Sequence, residues 1–268
     1  MELKAVGISL FLVAISSVFG ALAGFILSGL GGLVFFGGLL FFLSLFFSAA
    51  VLWYSPSIIL RKYKAKPSDN RELNDAVERM AINAKIPVPK VYVLPMDVPN
   101  SFAVGRGKGN AAVCVTEGLL TLNKGEMESI VAHEIWHIAN DDIIVQEFVS
   151  VAAAILRLTV ILIPLAVFII KLGLSERIEY RADYYATRFA KKPGDMASAL
   201  SKMSEVARQN PMRGSPAFES IWSVNPFRRE GVRRWFYVHP PTARRKKRLE
   251  DMTHEGMPET YEGTEDVD

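Results

Sequence analysis

His133-Glu134-Ile135-Trp136-His137 sets two imidazoles four residues apart with a carboxylate directly after the first. On a helix, residues i and i+4 share one face, so both rings can bind a single metal ion and Glu134 stands next to that ion's water. Histidine is scarce here, four in 268 residues, so the pairing is no by-product of composition. A catalytic zinc site needs three protein ligands and one open position, and the third is expected downstream. Residues 175–186 have helical character and carry Glu179 and Asp183 at an i, i+4 spacing. Glu179 suits the metal. Asp183 suits the free ring nitrogen of a ligating histidine, whose tautomer it would fix. Taken alone, the two acids would equally fit an exposed helix pairing with Arg177, Arg181 or Arg188. The histidine pair turns the balance toward the metal.

Two further stretches accompany these, Asn100-Ser101-Phe102-Ala103-Val104-Gly105 ahead of the histidine pair and His239-Pro240-Pro241-Thr242-Ala243-Arg244-Arg245 near the end. The four motifs, in this order, resemble the gluzincin membrane metalloproteases of the HtpX type, relatives of the CaaX prenyl-protein proteases. The resemblance covers residues 100–245. It implies a zincin-like domain with one Zn2+ on His133, His137 and Glu179, and it makes His239 an oxyanion donor in peptide-bond hydrolysis. One departure is length, because only residues 138–178 separate His137 from Glu179, where the family often places a long two-span hairpin.

The chemistry follows from those ligands. Zinc there would lower the pKa of a bound water and polarise the scissile carbonyl, while Glu134 takes the water proton and returns it to the leaving amine. Asn100, Ser101, Phe102 and Ala103 are expected to form an edge strand to which an extended substrate adds through backbone hydrogen bonds. Binding of that kind reads backbone more than side chain, which suits damaged or misfolded membrane proteins as substrates and a role in protein quality control. Two alternatives stand beside this reading. One is a CaaX-type prenyl-protein protease, which calls for more membrane helices than are found here. The other is a membrane-anchored binding protein with a structural metal site, whose signature would be a lost Glu134.

The elements that must hold these residues begin with a membrane anchor. From Ala5 to Leu60 there is no Asp, Glu, Lys, Arg or His, and about 20 apolar residues suffice for one crossing. Two helices fit, near Ala5–Leu27 and Leu33–Trp53, joined by Ser28-Gly29-Leu30-Gly31-Gly32, with Trp53 and Tyr54 at an interface. A cleaved signal peptide is the competing reading of the first, but the uncharged run passes straight into a second span. Lys4 precedes the pair and Arg61, Lys62, Lys64 and Lys66 follow it, so both ends and the catalytic domain are expected in the cytoplasm of a multi-pass protein of the cell membrane. Cys114 is the sole cysteine, so no intramolecular disulfide can form. A net charge of +3 is too small to argue for a nucleic-acid partner.

The fold class expected is mainly α with a small β-sheet. It divides into an N-terminal hairpin over 1–60, a catalytic domain over 61–253 and an acidic, disordered tail over 254–268. Residues 71–84 read as an amphipathic helix capped by Ser68 or Asp69. Lys90–Leu94 reads as a strand, and Ser101–Val104 as a strand pairing with Ala111–Val115 across the glycine-rich turn 105–110, which lacks a phosphate-loop ending. The active helix is expected to run from Glu126 to about Val145 and on into an apolar hairpin over 146–175, turning near Pro164 and dipping into the bilayer. A single full crossing there would put ligands of one zinc on opposite sides of the membrane. Residues 195–208 read as a further helix, and Asn210–Tyr237 as long loops. The run Arg244–Arg248 reads as a solvated helix face, or as a contact for anionic headgroups.

Overall fold

The computed structural model describes residues 3–156, 167–168, 171, 174–212, 216–227 and 239–256. Its uncharged N-terminal run forms helix α1 (Leu3–Lys62), broken at Ser28 and Gly29, where Gly29 takes φ +64°. Only glycine adopts that conformation without strain, so the chain reverses there and the two arms return side by side. They touch through bare backbone: a Cβ on Gly24 would lie 2.1 Å from the carbonyl O of Gly32. Small residues at a helix crossing permit this approach, and any side chain at Gly24 or Gly32 would force the arms apart. The turn is tighter than the sequence suggests, because the second arm starts directly after Gly29 rather than at Leu33. Outward-facing apolar side chains stay exposed, Ile26 at 82% and Phe46 at 74% among them. By length and composition α1 is apolar enough to cross a membrane.

Four strands follow in a mixed sheet of order β1-β2-β4-β3. β2 (Lys90–Leu94) pairs parallel with β4 (Ala111–Thr116), and β3 (Ser101–Gly105) pairs antiparallel with β4, Phe102 opposite Cys114. The expected 101–115 hairpin is therefore present, and β3 is an edge strand. β1 (Lys66–Pro67) adds antiparallel to β2 at the other edge. Its two residues and its proline left no strand signal in the sequence.

Helix α2 (Arg71–Ala84) buries Leu73, Ala76, Val77, Met80 and Ala81 on the expected stripe. Its cap is Asn70, whose side chain accepts from the Leu73 N–H at 3.0 Å, in place of Ser68 or Asp69. Helix α3 (Lys124–Ala139) carries the histidine pair and starts at a capping box, Asn123 and Glu126 exchanging side-chain-to-backbone bonds. It does not run on to Val145. Asp141 takes a left-handed φ of 58° and the chain restarts as α4 (Asp142–Leu156), so the active helix ends two residues after His137. The turn expected near Pro164 lies outside the described residues. Helix α5 (Glu176–Ala190) carries Glu179 and Asp183 as anticipated, and α6 (Pro193–Gln209) matches the expected helix over 195–208. A short 3-10 turn, Pro216–Ile221, interrupts the stretch expected to be loop, most of whose remainder is outside the description. Helix α7 (Thr242–Glu255) includes His254 and Glu255, the first two residues of the expected tail; the rest of the tail beyond Gly256 is not described.

Helix α3 lies against the sheet and α5, and is buried on nearly every face, as its thirteen buried residues show. Trp136 stacks on Tyr185 of α5 with ring centroids 3.9 Å apart, which fixes the rotation of the two ligand-bearing helices against each other.

Candidate metal centre

The rotation set by that stack turns His133, His137 and Glu179 toward one point. Their ligand atoms lie within 4.8 Å of one another, and all three side chains are buried. The two Nε2 atoms are 3.1 Å apart, Glu179 Oε2 is 3.5 Å from His133 Nε2, and Glu179 Oε1 is 3.6 Å from His137 Nε2. Tetrahedral zinc with bonds of about 2.0–2.1 Å spaces its ligand atoms by roughly 3.3–3.4 Å, so the donor set fits the ion by type and by spacing. Glu179 Oε2 also makes no hydrogen bond although it is buried. It instead faces three nitrogens, His133 Nε2, His239 Nδ1 at 3.2 Å and Arg245 Nη1 at 3.4 Å, so the buried carboxylate is held by charge and stays available as a ligand.

Electrostatics point the same way. Burial pushes the Glu179 carboxyl up, but His239, His133 and His137 outweigh it and hold the group well below the ordinary carboxylate range. Burial favours the neutral His133 ring, yet Asp183 and Glu179 draw a proton onto it and push its pKa up to about 9. The metal-free cluster thus takes up a proton where its ligand geometry would place a cation, and the two compete for the same imidazole.

Each histidine is aimed by a carboxylate on its other nitrogen. His133 Nδ1 lies 3.0 Å from Asp183 Oδ1, the pairing expected from the sequence. His137 Nδ1 lies 3.2 Å from Asp142 Oδ2. Glu134 borders the same space, its Oε1 accepting from Ser101 Oγ of β3 at 2.7 Å and from Ser223 Oγ. His239 also arrives, with Nδ1 3.2 Å from Glu179 Oε2.

Of the four strand residues expected to meet substrate, Ser101 touches Glu134. Phe102 and Ala103 are buried, and Phe102 packs edge-on against Trp222 at 4.8 Å between centroids. Asn100 is buried too, its side chain donating to the Val224 carbonyl at 2.7 Å. The edge of β3 is covered in this conformation: Ser223 N–H donates to the Ser101 carbonyl at 3.0 Å, the acceptor an added substrate strand would use. The space enclosed by His133, Glu134, Glu179, Ser223 and His239 is too small for a peptide.

Residues 67–253 match the description of peptidase family M48. The chain belongs to that family. It is 38% identical over 265 residues to a protein named Protease HtpX homolog from Pyrococcus abyssi, covering 87% of this chain and 90% of that one. A protein of the same name from Salinibacter ruber is 35% identical over 267 residues, covering 90% and 95% respectively. Among solved structures, Ste24p of S. mikatae aligns with a TM-score of 0.47 at 17% identity, covering 87% of this chain and 61% of that one.

Three residues of this M48 peptidase's site escaped sequence reasoning. Asp142 was missed because a continuous helix would have pointed it away from His137, whereas the break at Asp141 swings it back. Ser223 sits in a stretch without periodicity. Arg245 was hidden in the run 244–248, but it is 1% exposed and faces inward. It grips Asp183 with two bonds of 2.6 and 2.7 Å and donates to the Ser223 carbonyl at 2.6 Å. The solvated-face reading therefore fails at Arg245. Its neighbour Arg248 lies over the Tyr180 ring at 4.3 Å. The signal that could have found Arg245 is the Asp183 carboxylate, which, once buried beside a histidine, requires a compensating cation.

Proposed function

We propose that this M48 peptidase is a zinc-dependent endopeptidase of the cell membrane, anchored by a two-pass hairpin with its catalytic domain on the cytoplasmic side. It cleaves damaged or misfolded membrane proteins. The observation that carries the reading is the convergence of His133, His137 and Glu179 from two helices on one ion-sized gap, with the Glu134 carboxylate on the next residue of α3. Bound there, zinc would supply an acidified water and a Lewis acid for the scissile carbonyl. Glu134 takes the proton of the attacking water and delivers it to the leaving amine. The Ser101 and Ser223 hydroxyls on its Oε1 orient the carboxylate and leave Oε2 for the water. His239, within the same buried cluster, donates to the oxyanion as the bond breaks. An extended substrate displaces Ser223 from the Ser101 carbonyl and takes its place along β3.

The test is metal analysis of the purified full chain combined with cleavage of an unfolded protein, with and without a chelator. One zinc per chain and chelator-sensitive cleavage are expected; cleavage that survives complete metal removal would defeat the reading. The role given to His239 has its own test. His239→Ala should keep zinc and substrate KM while lowering kcat by about 10²–10³-fold. Unchanged kcat at saturating substrate would leave His239 without a part in the chemistry.

Topology rests on the charge pattern, with Lys4 before the hairpin and Arg61, Lys62, Lys64 and Lys66 after it. The apolar stretch over 146–175 is read as a membrane-associated hairpin that enters and leaves on the same side, since Asp142 before it and Glu179 after it both border the metal centre. In a Cys114→Ser background, single cysteines at Lys90 and Lys171 should react with an impermeant thiol reagent from the cytoplasmic side, and one at Leu30 from the opposite side. Labelling of positions 90 and 171 from opposite sides would rule out this arrangement.

A further inference from the structure

At the seam between the N-terminal hairpin and the catalytic domain lies a cavity of about 460 Å³, within the range of small-molecule sites, bounded by Leu10, Leu45, Ser48, Trp53, Arg106 and Ile144. Three features of it point to one kind of occupant. The walls are apolar along Leu45 to Trp53, a depth of about 12 Å at 1.5 Å per helical residue. At the outer end, Arg106 lies over the Trp53 ring with its guanidinium carbon 4.2 Å from the centroid. Stacking uses the face of the guanidinium and leaves its N–H edge open, and among the described residues no carboxylate forms an ion pair with it. Glu147, which the Arg106 charge reaches, makes its hydrogen bonds to other groups, accepting from the Gly105 N–H and from Ser55 Oγ at 2.8 Å. Part-way down, Ser48 Oγ is buried, 3% of the residue being exposed, and has no hydrogen-bond partner. Ser16, Ser17 and Ser44 on the same helix each donate back to a carbonyl one turn earlier, so the free hydroxyl of Ser48 stands out among them.

We propose that this cavity binds one anionic glycerophospholipid, with its phosphate on Arg106, an ester carbonyl on Ser48 Oγ and an acyl chain along Leu45 and Leu10. This rests on the membrane reading above. The order of the groups matches the lipid's own: Ser48 is five residues, about 7–8 Å, deeper than Trp53, as an ester carbonyl is deeper than its phosphate. The positive end selects an anionic headgroup, and the serine selects an ester over a plain hydrocarbon tail. The glycine-rich turn after β3, which carries no nucleotide-binding signature, is the element that carries Arg106 to this surface.

The experiment uses the full chain, delipidated in detergent, with native mass spectrometry reading the retained adducts of dioleoyl phosphatidylglycerol, dioleoyl phosphatidylcholine or oleate. A one-to-one phosphatidylglycerol adduct is expected, about fivefold or more tighter than phosphatidylcholine, from one cation near an anionic headgroup. Arg106→Gln should remove that preference, and Ala49→Phe, which fills the cavity, should lower retention of both phospholipids. A brominated phosphatidylglycerol should quench a fluorescence component that Trp53→Phe removes. Equal retention of the two phospholipids, retention unaffected by both cavity variants, or oleate held in preference to phosphatidylglycerol would each overturn the proposal. Zinc content and peptide cleavage measured on the same samples separate its failure from failure of the protease reading, because neither Arg106 nor Ala49 belongs to the metal centre.

Discussion

Glu134→Gln is expected to lower turnover by about 10²–10⁴-fold while zinc stays bound, the range that positioned acid–base catalysis supplies. The amide is nearly the same shape as the carboxylate, and its oxygen can still accept from Ser101 and Ser223. It cannot accept the proton of the attacking water. Because Glu134 is not one of the three ligand residues, the metal keeps His133, His137 and Glu179 unchanged. Metal analysis and the rate of cleavage of an unfolded protein, measured on the same preparation, decide the matter. A variant that loses its zinc, or that turns over at the parent rate, would show that Glu134 has been given the wrong part.

The parts of this site that were legible in the sequence are those that a single helix encodes. An i, i+4 spacing is a local fact, so His133 with His137, and Glu179 with Asp183, could be placed on their helix faces before anything was known of the fold. The hairpin β3–β4 was equally local, two short apolar runs ending in valine across a glycine-rich turn. What the spacing could not carry was contact between distant segments. Arg245 and Asp183 are far apart in sequence, and a charge run has the same composition whether one of its members faces water or a buried carboxylate. Ser223 reaches Glu134 from a stretch with no period to read. The break at Asp141 was missed for a different reason: Asn140-Asp141-Asp142 is compatible with a helix surface, and only the packing of α4 against the hairpin makes the left-handed turn worth its strain.

The inward turn of Arg245 changes what two neighbouring acids on α5 should do when removed. Glu179→Ala deletes one of three ligands, so zinc affinity and cleavage should both collapse, yet the fold should persist. Arg245 keeps its two bonds to Asp183 and its bond to the Ser223 carbonyl. Asp183→Ala is the reverse case. Burial pushes the Asp183 carboxyl up, but Arg245 beside it holds it below the usual carboxylate range, and the pair is stable as a pair. Truncating the acid takes two bonds from a guanidinium that is 1% exposed and leaves it the Ser223 carbonyl and Glu179 Oε2 at 3.4 Å, so the loss should fall toward the lower end of the about 3–5 kcal/mol that breaking a buried ion pair from one side costs. Metal affinity should also fall, about 10–100-fold, because the His133 ring loses the group that aims it. The two variants therefore separate on different axes, Glu179→Ala by metal titration and Asp183→Ala by denaturant midpoint of the metal-free protein. The double variant Asp183→Ala/Arg245→Met should recover much of the lost stability, since neither charge is left buried alone, without recovering the metal affinity. A double variant no more stable than Asp183→Ala would mean that Arg245 contributes through its Ser223 contact rather than by neutralising Asp183.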